Sequence, residues 1–193
     1  MNKLKWYIAD KEYINYLRKF DNKVENIDYK NNLKPYIGII ININEFNYYV
    51  PISSPKEKHY KMKDDMDFIR IKQNKRILGV LNLNNMVPIL DKYVKMLDYK
   101  DIEKFRTFKT DREKKLYIGL LNKELKIINL KHIAIRDNAI KLYKEKLNKP
   151  NSKLAKRCCD FEVLEEKAKL YNGFFWDNIN SFITHWLKAF SVL

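Results

Sequence analysis

Ser53, Ser54, Lys56, Lys58 and His59 lie within one seven-residue run. Two hydroxyls, two ammonium groups and an imidazole in so short a span suit a phosphodiester. Hydroxyls orient it as neutral donors, cations hold its charge, and the imidazole, with an ordinary pKa of about 6.5, is tuned for proton transfer. Pro55 fixes its own φ and holds Ser54 toward extended geometry. The two serines are therefore presented on a stiff, exposed loop after a β-rich segment. The same residue types also build ordinary solvated loops. The rest of the chain decides between these readings.

The elements that position this loop are legible in the residue periods. Residues 3–9 read as a strand, and Asp10 then caps a short helix carrying Tyr13, Tyr16, Leu17 and Phe20 on one face. Residues 21–35 form a polar loop with Tyr29, Lys30 and Lys34. Residues 36–43 and 46–52 are rich in β-branched and aromatic side chains, and Asn44-Glu45 between them suits a tight hairpin. A second hairpin spans 68–72 and 77–83, and 86–90 is a short strand whose Pro88 points to an edge or bulge.

From about residue 91 the period changes from two to 3.6. One helix face carries Tyr117, Leu120, Leu121 and Ile128, and another carries Ile135, Ala139, Leu142, Tyr143 and Leu147 before Pro150. Asp160 caps a third helix, with Phe161, Leu164, Ala168 and Tyr171 inward and Gly173 as its stop. An apolar stripe from Trp176 to Phe190 suits packing on the body or on a partner better than membrane attachment. Strands first and helices second make an α+β domain on an antiparallel sheet, β-rich over 1–90 and helical over 91–193.

Composition narrows the partners. The net charge is +15, from 39 Lys and Arg against 24 Asp and Glu, which favours a polyanion. Nucleic acid fits better than membrane, because no apolar stretch approaches the roughly 20 residues of a span. The start, Met1-Asn2-Lys3-Leu4-Lys5-Trp6, lacks the apolar run of a secretion signal. Cys158 and Cys159 are adjacent and read as reduced thiols of a cytoplasmic protein. No zinc-ligand spacing, GxGxxG, Walker loop or HExxH occurs, so neither metal nor cofactor is expected.

Several separated motifs carry a family resemblance. They are Lys34-Pro35-Tyr36-Ile37-Gly38-Ile39, the Ser53-Ser54-Pro55-Lys56 loop with His59 shortly after, and the run from Gly79 through Asn82 to Ile89. Cys159-Asp160-Phe161 followed by Leu164-Glu165 is the last of them. In order and spacing, over residues 4 to about 170, the chain resembles the ToxN/AbiQ toxins of type III toxin–antitoxin systems. The resemblance implies a small, strongly twisted antiparallel sheet similar to the core of MazF/Kid toxins, enlarged by helices. It also implies a metal-independent, sequence-selective endoribonuclease that curbs growth and aborts phage infection. The implied partners are target RNAs and a repeat pseudoknot RNA antitoxin, which the toxin processes and joins in a closed assembly.

The resemblance distributes roles over the candidate residues. Lys56 matches the family's loop lysine and stabilises charge on the non-bridging oxygens. Ser54 matches the loop serine and orients the phosphate, and Ser53 stands where a threonine is usual. Tyr29 and Lys34 match a tyrosine and a lysine on the preceding loop, with spacing one residue longer here. Tyr29 then shuttles a proton or stacks on a base, and Lys34 adds a second cation. Lys58, Lys61 and Lys63 extend the phosphate-tracking groove, with Arg106, Lys109, Arg112, Lys114 and Lys115 as a weaker second group.

His132 and His185 sit in helical segments and read as structural or solvent-facing. Asp64, Asp65 and Asp67 read as a solvated patch balancing nearby lysines rather than a magnesium site. Two other classes stay open at this point: a non-catalytic RNA-binding regulator, and a helical half that acts as an assembly module.

Overall fold

A computed structural model describes residues 3–26, the backbone of 28–29, and residues 32–171. The stripe from Trp176 to Phe190, His185 and the side chain of Tyr29 lie outside the described residues. Strand β1 (Lys5–Ala9) runs into α1 (Lys11–Arg18), where the Asp10 carboxylate accepts the Tyr13 N–H at 2.8 Å and caps the helix. Tyr13, Ile14 and Leu17 are buried, while Phe20 lies past the helix end and stays exposed.

The segment expected to be loop over 21–35 contains a two-stranded ribbon, β2 (Asp28–Tyr29) and β3 (Asn32–Leu33). Leu33 N–H donates to the Phe105 carbonyl at 2.8 Å, a partner 72 residues away that no local pattern announces.

Next come β4 (Tyr36–Gly38), β5 (Asn42–Ile43) and β6 (Phe46–Ser53). Asn44 and Glu45 both have positive φ, 49° and 69°, the geometry of a two-residue hairpin turn matched to strand twist. The strand expected over 36–43 is interrupted at 39–41. Gly38 is required there by close approach: a Cβ on it would sit 2.2 Å from a ring carbon of buried Tyr49.

β6 organises the sheet. Its first half pairs with β5 and with β9 (Val87–Ile89), and its second half with β4 and with β8 (Arg76–Asn82). β7 (Phe68–Gln73) forms a hairpin with β8 through Asn74, whose φ is 53°. With β10 (Val94–Met96) at one edge, the continuous order is β10-β1-β4-β6-β8-β7, all antiparallel. A strand that changes neighbours along its length must twist and coil strongly. β10 lies beyond residue 91, where only helix was expected. Half-exposed and three residues long, it pairs with β1 at the sheet edge and leaves little period to read.

Helices α3 (Asp111–Leu130), α4 (His132–Asn148), the short α5 (Lys153–Arg157) and a helix over 161–171 complete the domain. The third helix expected from Asp160 is this last one, and its Phe161, Leu164 and Ala168 are fully buried. One hydrophobic core joins sheet and helices. Polar ties fix the registration: Trp6 Nε1 donates to the Leu121 carbonyl at 3.0 Å, and the Asn129 amide brackets the Leu4 backbone at 2.8 and 3.0 Å. Glu165, 7% exposed, accepts from Tyr48 Oη at 2.6 Å, Tyr143 Oη at 2.9 Å and Asn44 Nδ2 at 3.0 Å. Its place in the family motif thus has a packing reason.

Cys158 and Cys159 are unbridged and buried. Burial pushes the Cys158 thiol up to about 11 and that of Cys159 well above its ordinary value, so both are inert. Among the described residues no helix is long and apolar enough to cross a membrane.

Candidate active site

Ser53 ends β6 opposite Val80 of β8, which brings Asn82 diagonally across from it. Beneath them Glu25 acts as a common acceptor. Its carboxylate takes the Ser53 hydroxyl at 3.1 Å, the Asn82 amide at 2.7 Å and the Lys34 ammonium at 3.2 Å. A carboxylate holding three donors fixes the rotamers of all three side chains; all three bonds are charge-assisted, and the one to Lys34 is also an ion pair. The Ser53 hydroxyl is therefore a positioned group whose proton is already committed.

Ser54 is exposed and its hydroxyl makes no hydrogen bond among the described residues. Lys56 is also exposed and stands just before α2 (Glu57–Lys61). His59, expected in an open loop, is instead on this helix and only 6% exposed. Its Nδ1 accepts the Lys56 backbone N–H at 2.9 Å, and its backbone N–H donates to the Lys56 carbonyl at 2.9 Å. The ring packs 5.3 Å from that of Phe68, and Arg70 Nη1 donates to the His59 carbonyl at 3.3 Å.

Burial, then the charges of Lys58 and Lys56, hold the imidazole below its ordinary pKa. With Nδ1 accepting, the neutral ring carries its proton on Nε2. His59 thus clamps the backbone of the lysine beside it. Sequence did not reveal this, because the β7–β8 hairpin supplies the apolar ring that buries it.

These groups line one cleft of about 990 Å³. Ser53, Ser54, Lys56, Lys58, His59 and Lys63 line it, together with Lys34 and its ribbon neighbours Asn32 and Leu33. Helix α3 closes the cleft with Tyr117, Leu120, Leu121 and Glu124. Lys61 of the expected basic set does not line it. Of the second basic group only Arg106 does, its guanidinium stacked 4.3 Å above the Tyr117 ring. Lys109, Arg112, Lys114 and Lys115 lie outside the cleft, and Lys114 is paired with Glu103 at 2.5 Å.

The acidic trio is neutralised by arginines rather than lysines. Asp64 binds Arg70 at 2.7 Å, and Arg157 reaches Asp65 at 3.3 Å and Asp67 at 2.9 Å. Asp67 is buried rather than solvated. No group of three or more metal-ligating side chains occurs among the described residues. His132 Nδ1 lies 2.7 Å from the Asn129 carbonyl at the start of α4, a structural contact.

Three polar residues of the cleft escaped the sequence reading. Glu25 sits in a polar loop with no distinguishing pattern, and its role arises from long-range partners. Asn82 was inside a motif but carried no assigned role. Glu124 did leave a signal, since it interrupts the apolar face of Tyr117, Leu121 and Ile128 at helical spacing. It is 4% exposed, and burial lifts its carboxyl from 4.5 to about 7.

The twisted sheet with its flanking helices is the fold of solved type III toxins. One such structure concerns selective toxin inhibition by a non-coding RNA pseudoknot. It matches at TM-score 0.74 and 28% identity, covering 89% of this chain and 99% of that one. Another is AbiQ, a lactococcal anti-phage endoribonuclease, at TM-score 0.72 and 28% identity over 89% and 99%.

Residues 5–169 match the model of the ToxN toxin of type III toxin–antitoxin systems, and the chain belongs to that family of endoribonucleases. Endoribonuclease AbiQ of Lactococcus lactis subsp. lactis is 31% identical over 88% of this chain and 90% of its own length. Endoribonuclease ToxN of Bacillus thuringiensis subsp. kurstaki is 30% identical over 86% and 84%. Endoribonuclease ToxN of Pectobacterium atrosepticum is 30% identical over 86% and 92%.

Proposed function

We propose that this endoribonuclease toxin cuts RNA in the serine–lysine cleft by attack of the RNA's own 2′-OH on the adjacent phosphorus. The products are a 2′,3′-cyclic phosphate and a 5′-hydroxyl. The observation that carries the reading is the convergence of Ser53, Ser54, Lys34, Lys56 and His59 on one cleft. An internal nucleophile spares the enzyme from activating water, so it needs only alignment, charge stabilisation and proton movement.

Lys56 neutralises the non-bridging oxygens as they gain charge, and Ser54 donates a hydrogen bond that orients the phosphate. Ser53, held by Glu25, lines the same groove, and Lys34 bound to that carboxylate adds a second cation. Tyr29 belongs to the site as a stacking or proton-carrying group. His59 serves chiefly to shape the turn that carries Lys56. Lys58 and Lys63 track the RNA backbone, with Lys61 on the outer path. The chemistry runs without metal, in the cytoplasm, on selected sequences. A repeat pseudoknot RNA, processed by the toxin itself, holds the toxin in a closed inactive assembly.

The test is incubation of purified protein with a transcript in excess EDTA, followed by mapping of the new termini. A cyclic phosphate at the 3′ end, and no cut when the residue 5′ of the site is 2′-deoxy, are expected. Cleavage of the deoxy substrate, or dependence on added magnesium, refutes the mechanism. Binding without cleavage makes the protein a regulator.

A further inference from the structure

Transesterification at this site needs a group to take the 2′-OH proton, and most candidates are already engaged. The Glu25 carboxylate is occupied by Ser53, Asn82 and Lys34. His59 Nδ1 is occupied by the Lys56 N–H. Ser54 and Lys56 are a hydroxyl and an ammonium without an activating base. Asp65 and Asp67 are paired with Arg157.

Glu124 differs from all of these. Its carboxyl makes no hydrogen bond and no ion pair among the described residues, although it is 4% exposed and lines the same cleft. Its oxygens keep some contact with solvent in the cleft, so the carboxyl can meet a ligand there. The fold also makes room for it. A Cβ built at Gly79 would lie 2.5 Å from Glu124 Oε1 and 2.8 Å from Ile52 Cδ1. Glycine inside a strand weakens the strand and marks a close approach, here that of a carboxyl over β8. Ile52, on the far side of that gap, is two residues from Ser54.

We propose that Glu124 is the general base of the cleavage reaction, a reading that rests on the transesterification proposed above. The O2′–H bond breaks and its proton passes to the Glu124 carboxylate. The O2′ electron pair forms the bond to phosphorus, and the P–O5′ bond breaks with its pair on O5′. O5′ takes a proton from water, and Glu124 returns its proton to solvent, so the reaction balances with no added reactant. The groups facing Glu124 suit this role. They are Ile52 and Gly79 from the sheet, Tyr117 about two helical turns away on α3, and Tyr99 from the segment before it. Arg106 lines the same cleft, stacked on Tyr117, but burial is what acts on the Glu124 carboxyl, raising it to about 7, near the pH at which a general base works best.

The experiment compares pH profiles of kcat/KM from pH 5 to 9 for the wild type, Glu124→Gln and Glu124→Asp. The substrate is a short RNA containing one mapped cleavage site, with RNA affinity measured alongside. The wild type is expected to rise about tenfold per pH unit on the acid side and level off near 7. Glu124→Gln is expected to lose about 100- to 10,000-fold at the plateau, and with it the acid limb, while RNA affinity stays within about threefold. Glu124→Asp keeps a carboxylate, so it is expected to run slower but to retain the limb. Should the amide variant fold poorly, this variant still carries the test.

Full activity of Glu124→Gln, an acid limb that survives in it, or a parallel loss of RNA affinity overturns the assignment. A wild type that cuts the 2′-deoxy substrate overturns both this inference and the reading beneath it. A wild type that spares that substrate while Glu124→Gln stays fully active overturns the base alone.

Discussion

Replacing Glu124 by Gln should stabilise the fold, and increasingly so as pH rises. The carboxyl titrates near 4.5 when solvated and at about 7 in the folded chain, because burial penalises its charge and no cation offsets it. Between these values the native state holds a proton that the unfolded state has released. Native stability therefore falls as pH rises through this window. At about 1.4 kcal/mol per pKa unit, ionising the buried carboxyl costs roughly 3 kcal/mol once pH exceeds 7. With 4% exposure, solvent screens little of this.

Glutamine keeps the shape and never ionises. Urea unfolding of both proteins at a series of pH values from 4.5 to 8 isolates the effect, because every other titrating group cancels in the difference. The gap in unfolding free energy is expected to be small at pH 4.5, to open up to 7, and to reach about 3 kcal/mol at pH 8. A gap that is flat across the range, or that favours the wild type at pH 8, would refute the argument. It would mean that the carboxyl is solvated or paired in the folded chain.

Lys56→Ala should lower kcat by about 100-fold or more while weakening RNA affinity less than tenfold, because its charge matters most as the phosphorane forms; single-turnover kinetics beside a binding titration separate the two. Gly38→Ala should cost about 3 kcal/mol or more, since its methyl would meet the buried Tyr49 ring at 2.2 Å, and chemical denaturation reads this directly. Glu165→Ala leaves the hydroxyls of Tyr48 and Tyr143 and the Asn44 amide without their acceptor, so a loss of about 3 kcal/mol in the same assay is expected. His59 should titrate below 6.5 by NMR. The unfolded chain then binds the proton first, so the stability His59 contributes is complete above pH 6.5 and declines as pH falls below it. His59→Gln should lack that decline.

Local sequence determined whatever depends on neighbours along the chain. Asp10 capped its helix, Asn44-Glu45 turned its hairpin, and β6 was readable because a strand buried on both faces is apolar along most of its length, here Tyr48 to Ile52. The hydroxyls and lysines of the loop were visible because stiff Pro-flanked segments display polar side chains. The charge excess pointed to a polyanion on composition alone. Family membership followed from motifs whose order and spacing survive divergence.

Tertiary structure alone decided which of these polar groups act together. Glu25 meets Ser53, Asn82 and Lys34 across separations of 9 to 57 residues, so no local window contains the network. His59 changed from exposed loop to buried clamp because Phe68, from a later strand, packs against it. Glu124 acquired its raised pKa from burial, to which Ile52 of β6 and Gly79 of β8 contribute from far along the chain. A side chain's type is written in the sequence, but its partners and its dielectric surroundings are set by elements that arrive from elsewhere in the chain.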